Sequence, residues 1–205
     1  MKIYEQRSAP NPRRVRIFLA EKGLLDQVTF VQLDMDKGEL ETEAFARKNA
    51  WQRVPVLELD DGTCLAETVA ICRYLEELHP EPSLFGRSAL ERAQVEMWNR
   101  RVELGFFFQI SQAFRHTHPA MAPLETPQVP AWGEANKARA LQSLARLNDA
   151  LAERRFIAAD VFTVADITAM CAVNFMRPVR LKRPEGLEHL ERWYSEVTER
   201  PSATA

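Results

Sequence analysis

The stretch RSAPNPRRVRI, residues 7–17, holds one hydroxyl, Ser8, and no cysteine. If a reactive sulfur is handled at this turn, Ser8 is the side chain that could donate to it. The other donors are backbone amides, because a helix start presents unpaired N–H groups and the positive end of the helix dipole to an anion. Pro10 and Pro12 each remove one such donor, which leaves the amides of Asn11, Arg13 and Arg14.

A second constellation lies in RVPVLELDDGTCLAETVAICRYLE, residues 53–76. Val54-Pro55 opens a strand, an unusual place for a residue that cannot donate to a ladder. With a cis bond, the Val54 amide and carbonyl turn outward and can pair with an extended peptide as a short antiparallel strand. With a trans bond the proline is an ordinary edge-strand residue. Further on, Glu67-Thr68 begins a helical run. Thr68 can offer its hydroxyl and amide to a carboxylate while Glu67 accepts from an ammonium, or the two can simply cap the helix. Taken jointly, a reader of peptide backbone and a reader of an amino-acid head group, one hairpin apart, describe a site for a small peptide.

These residues need a mixed sheet with helices to position them. KIYE reads as a strand; Asn11 can cap a helix with Pro12 in its first turn, running through VRIFLAEK to Gly23. VTFVQL is a strand, TEAFARK a short helix, and VPVLELDDGTCLA a hairpin turning at Asp61-Gly62, followed by the helix TVAICRYLEELH. The order predicts a thioredoxin-like domain over residues 1–80. PEPSLFG, residues 80–86, marks a linker taken as 81–87, and residues 88–205 read as an all-helical domain with helices at 88–117, 132–153, 163–176 and 187–199. The fold class is therefore α/β plus all-α.

Composition narrows the function. The chain has 205 residues, 46% of them hydrophobic, with a formal net charge of −2, so no global field favours nucleic acid or an anionic membrane surface. Its three cysteines, Cys64, Cys72 and Cys171, are widely spaced and fit no metal or disulfide pattern. No stretch has the pattern of a signal peptide or a membrane span, so a soluble cytoplasmic protein is expected. His116 and His118 lack an evident third ligand, and no metal is expected.

The pattern of Val-Pro, Asp-Gly and Glu-Thr-x-Ala-Ile resembles the glutathione site of the cytosolic glutathione S-transferase superfamily, and NPRRVRIFLAEKG resembles its first helix. FTVADITAM is similar to that family's folding motif, with Thr163 and Asp166 as a capping box. The resemblance implies that Val54 pairs with the cysteinyl backbone of glutathione, that Pro55 is a cis proline, and that Glu67 and Thr68 bind the γ-glutamyl end. Family members often place a basic or polar side chain for the glycyl carboxylate just before the second helix; in DKGELETEAF, Leu40 and Glu41 stand where it is expected, which points to Lys37 and Arg53 as substitutes, and Asn11 belongs to the same binding set. The helical domain would form the cosubstrate pocket, with Phe106, Phe107, Phe108 and Phe114 as core and wall.

The slot where most relatives carry an activating Ser or Cys is Ala9, with Ser8 one position early. Tyr4 is expected to alternate into the sheet, and Glu5 would repel a thiolate. This departure resembles the atypical fungal and bacterial subgroup that lacks the standard Tyr, Ser or Cys and uses a water held by a second-domain Ser and His. The matching stretch offers Ser111 and His116, although five residues on an ideal helix turn through about 140°. The residues Gly105, Gln109, Gln112 and His116 form the more regular polar stripe. The resemblance implies a homodimeric detoxification enzyme that takes glutathione as cosubstrate and transfers it to a small, apolar electrophile. The alternatives are a non-catalytic glutathione-binding or regulatory protein and a glutathione-dependent isomerase or reductase.

Overall fold

The computed structural model describes residues 1–205 as two compact units, Met1–Leu84 with Pro201–Ala205, and Phe85–Arg200. The last five residues, assigned by pattern to the helical domain, pack instead on the first helix of unit 1.

In unit 1, strands β1 (Lys2–Glu5), β2 (Thr29–Gln32), β3 (Val56–Glu58) and β4 (Cys64–Ala66) form one sheet in the order β2-β1-β3-β4. β1 runs parallel to β2 and antiparallel to β3, and β3 and β4 form an antiparallel hairpin. Gly62, at φ 87°, supplies the left-handed residue of the hairpin turn, and the Asp61 carboxylate accepts from the Thr63 amide at 2.8 Å. Helices α1 (Pro10–Glu21) and α3 (Thr68–Leu78) pack on each other, and α2 (Glu43–Ala46) is a single turn capped by Thr42. Side-chain alternation sorts the sheet into two faces. Ile3 and Leu57, paired in register, are fully buried, whereas Tyr4 and Val56 cluster with Leu40 and Phe45.

Asn11 does not cap α1. Ala9 holds the cap position, Pro10 begins the helix, and the Asn11 side-chain oxygen accepts instead from Arg14 Nη1 at 3.1 Å. A proline at the first helical position fits because its missing N–H is one that the helix leaves unpaired.

Unit 2 holds α4 (Ala89–Val102), α5 (Phe108–Thr117), α6 (Pro130–Leu151), α7 (Val164–Asn174) and α8 (Glu188–Thr198). A π-helical turn at Glu103–Phe107 joins α4 to α5, so the single helix expected over 88–117 is continuous but widened at one turn. α7 is buried along Val164–Val173 and forms the centre of the unit. The capping box is present: the Thr163 side chain accepts from the first turn and Asp166 reaches back to the Thr163 amide at 2.9 Å. Asp166 also accepts from the Ile157 amide at 2.9 Å and from Trp193 Nε1 at 2.8 Å, tying α7 to α8. Burial pushes its carboxyl up to about 6, against these donors, which favour the ionised form. α5 and α6 pack closely, and Gly133 is what permits it, because a Cβ there would lie 2.4 Å from Thr117 Cγ2.

Candidate functional site

Strand register brings the unit 1 candidates to one end of the sheet. Tyr4 pairs with Val56, Val56 with Ala66, and Glu5 with Gln32. The β1–α1 turn with Ser8, the Lys37 loop after β2, the Arg53-Val54-Pro55 approach to β3 and Glu67-Thr68 after β4 therefore leave the sheet from the same end. The Asn11 amide, between two prolines, follows in the first turn of α1.

The turn bearing Ser8 rests on a buried scaffold. Glu5 and Arg16 form a buried ion pair, and Arg16 Nη2 also donates to the Arg7 carbonyl at 2.9 Å. Gln32 clamps the same turn, accepting from the Arg7 amide at 3.1 Å and donating to Glu5 at 2.5 Å. Glu5 is thus a structural anchor. Ser8 itself is exposed and its Oγ accepts from Gln6 Nε2 at 3.2 Å, leaving the hydroxyl hydrogen to donate elsewhere. Tyr4 does alternate into the sheet: its hydroxyl donates to Glu58 at 2.9 Å.

The approach to β3 is set by Asn49, a residue that sequence reasoning passed over. Asn49 is buried; its amide nitrogen donates to the Arg53 carbonyl at 2.8 Å and its oxygen accepts from the Trp51 amide at 3.1 Å. The chain then passes through Gln52 at φ 51° to a cis Val54-Pro55 bond. An Asn followed by three residues and then Arg-Val-Pro was the available signal, since short amide side chains commonly hold such turns. Arg53 is exposed, and so is Lys37, which pairs with Asp34 at 3.1 Å.

Glu67 stands at φ 68°, ψ 119° in the cap position of α3, with its carboxylate exposed and making no side-chain cap bond. A non-glycine residue held there costs on the order of 1–3 kcal/mol. The ordinary capping alternative therefore lacks its hydrogen bond. Thr68, the next residue, is buried.

The other two candidates lie in unit 2, on α5. Phe108–Thr117 is regular α-helix, so the π-helical turn, which precedes both residues, leaves Ser111 and His116 about 140° apart around the axis. Ser111 is half-buried. His116 is buried; its Nδ1 accepts from the Val129 amide at 3.1 Å, and its Nε2 lies 3.8 Å from Glu125. The hydrogen of the neutral ring consequently sits on Nε2. Gln112, one turn earlier on the polar stripe, accepts from Trp132 Nε1 at 3.1 Å. His118 Nδ1 accepts from the Ala120 amide at 3.3 Å, where it caps a short turn.

A thioredoxin-like unit followed by a helical unit with a buried capping box is the two-unit architecture that the sequence resemblance implied. Two family models match the chain, one described as the N-terminal domain of glutathione S-transferase over residues 9–78 and one as its C-terminal domain over 107–201. Glutathione S-transferase 2 of Saccharomyces cerevisiae is 40% identical over 203 residues, covering 98% of this chain and 87% of the relative. The crystal structure of Gtt2 from the same yeast superimposes with a TM-score of 0.95, and covers 100% of this chain and 99% of that one. A glutathione S-transferase domain-containing protein of Marinobacter aquaeolei has a TM-score of 0.95 at 47% identity, over 98% of this chain and 99% of its own. The chain belongs to the glutathione S-transferase family, and its likeness to the yeast protein is consistent with the atypical subgroup.

Proposed function

We propose that the protein binds glutathione at the end of the unit 1 sheet and transfers its thiolate to a small, apolar electrophile. The observation that carries this reading is Glu67, a strained, exposed carboxylate at a helix start, brought by the Val56–Ala66 register beside the cis Val54-Pro55 approach. In this reading Val54 pairs with the cysteinyl backbone, Glu67 accepts from the γ-glutamyl ammonium, and Thr68 with the α3 amides receives the α-carboxylate. Lys37 and Arg53 serve the glycyl carboxylate.

The thiol of glutathione has the ordinary pKa of a cysteine, near 8.5, and lowering it by about two units takes about 2.7 kcal/mol of differential stabilisation. One or two hydrogen bonds to the anion supply that. The candidate donors are the Asn11 amide, Ser8, and the unit 2 residues Ser111 and His116, acting directly or through a water; His116 would act through Nε2. A homodimeric, cytoplasmic enzyme of detoxification completes the reading, by family kinship.

A glutathione-dependent isomerase is the second reading, since a maleylacetoacetate isomerase of Pseudomonas aeruginosa is 42% identical over 94 residues, which is 46% of this chain and 44% of that protein. Such chemistry would use the same thiolate and regenerate it. The testing experiment is a pH titration of the thiolate absorbance of glutathione bound to the protein. We expect a pKa clearly below that of free glutathione, with the shift reduced in whichever of Ser8→Ala, Ser111→Ala and His116→Ala removes the donor. Saturable binding with an unshifted pKa would replace the transferase reading with a binding or regulatory one.

A further inference from the structure

The segment RPVRLKR, residues 177–183, places four cations within seven residues of a chain whose net charge is −2. It forms the connection between α7 and α8, and with those helices it lines a cavity of about 680 Å³. That size is typical of small-ligand sites. Arg177, Arg180, Lys182 and Arg183 all line it.

One carboxylate, Glu191, lines the same cavity, and it is already neutralised by a two-pronged pair with Arg183 at 2.6 and 3.0 Å. Arg183 is further held by lying over the Tyr194 ring at 4.3 Å, while the Tyr194 hydroxyl donates to Asn174 at 2.6 Å. The charge of Arg177, Arg180 and Lys182 is thus left over on the wall of a concave site. Arg180 is also one of only three non-glycine residues at positive φ, at 55°. Its backbone is pinned by bonds from the Arg180 amide to Arg177 at 3.0 Å and from the Leu181 amide to Met176 at 3.1 Å. Arg177, Arg180 and Lys182 are exposed, so solvent screens their mutual repulsion, while an anion that reaches several of them at once gains from their summed field.

We propose that this cavity is a second ligand site, for a small organic molecule carrying two or more negative charges on phosphate or carboxylate groups. Guanidinium forks match both groups in bidentate geometry. Val173, Met176 and Leu181 supply an apolar wall for the body of such a molecule. The site lies within unit 2, and none of its residues belongs to the glutathione set.

The test is isothermal titration calorimetry on the full chain, with and without glutathione, using AMP, citrate and inorganic phosphate as probes and neutral adenosine as the control. Saturable binding of AMP identifies a phosphate site and of citrate a carboxylate site; in either case it should weaken with added salt. The double variant Arg177→Ala/Arg180→Gly should weaken it about tenfold or more. Glycine accepts the backbone conformation of residue 180, so the loop keeps its path. Glutathione affinity in the variant should be unchanged, which keeps failure at one site distinct from failure at the other. Absence of saturable binding for AMP and citrate, equal affinity in the double variant, or binding confined to DNA or to anionic vesicles would each overturn the proposal.

Discussion

Glu58, at the end of β3, and Glu67, just after β4 at the cap of α3, show how one residue type serves two ends. Glu67 is exposed, strained and uncapped; Glu58 is bound by Lys48, by the Tyr4 hydroxyl and, at 3.5 Å, by Lys2. Replacing Glu67 by alanine should weaken glutathione binding by about 1.5–3 kcal/mol, roughly tenfold to a hundredfold in Kd by calorimetry. An unchanged Kd would remove Glu67 from the site. Lys48, and after it Tyr4, hold the Glu58 carboxyl down at about 2, from an ordinary 4.5. Folding therefore favours the ionised form, and the unfolded chain binds the extra proton between those two values. The stabilisation is present above pH 4.5 and is lost as pH falls toward 2. Urea midpoints of the wild type and Glu58→Gln should therefore differ at neutral pH and converge through that window. The wild type's loss of advantage on raising the pH from 5 to 7 would contradict the assignment.

At the level of elements, strands and helices followed from pattern because their causes are local: alternation for β1, the Asp61-Gly62 turn for the β3–β4 hairpin, prolines for the start of α1, the Thr163–Asp166 box for α7. What pattern did not reveal depends on contacts between distant residues. The approach to β3 is held by one buried side chain, Asn49, whose burial comes from tertiary packing. The π-helical turn inserts a residue's worth of offset without changing composition. The juxtaposition of Val54-Pro55 with Glu67-Thr68 was legible because one short hairpin sets their register, whereas no side chain singled out a donor at the β1–α1 turn, because Ala9 occupies the position where one was looked for. The contact of α5 with α6 gives an element-scale prediction. Gly133→Ala installs the better helix former yet drives a methyl into Thr117, whose hydroxyl is itself fixed to the Ala113 carbonyl at 2.7 Å. Overpacking of about 1–3 kcal/mol should exceed the helix gain of about 1 kcal/mol, so calorimetry should record a lower Tm.

Across the whole molecule, charge and connectivity are unevenly distributed. A net −2 conceals a local excess of cations at residues 177–183, which a global count could not disclose. The chain also passes between its units twice, at residues 84–85 and 200–201. After the second passage, Ser202 bonds to Glu21 and Arg13 Nη2 donates to the Ala203 carbonyl at 2.8 Å, with Ser202 and Ala203 buried. Deleting residues 201–205 should therefore speed hydrogen exchange at amides of α1 while leaving those of α7 protected, because the lost contacts belong to unit 1. Equal acceleration in α7 would show that the segment supports both units alike. This return path also governs how the protein can be recombined with its relatives. A chimera spliced only near residue 85 would graft a foreign tail onto α1, so exchanging the helical half cleanly requires two junctions, and the five terminal residues must be inherited with the opening half of the gene.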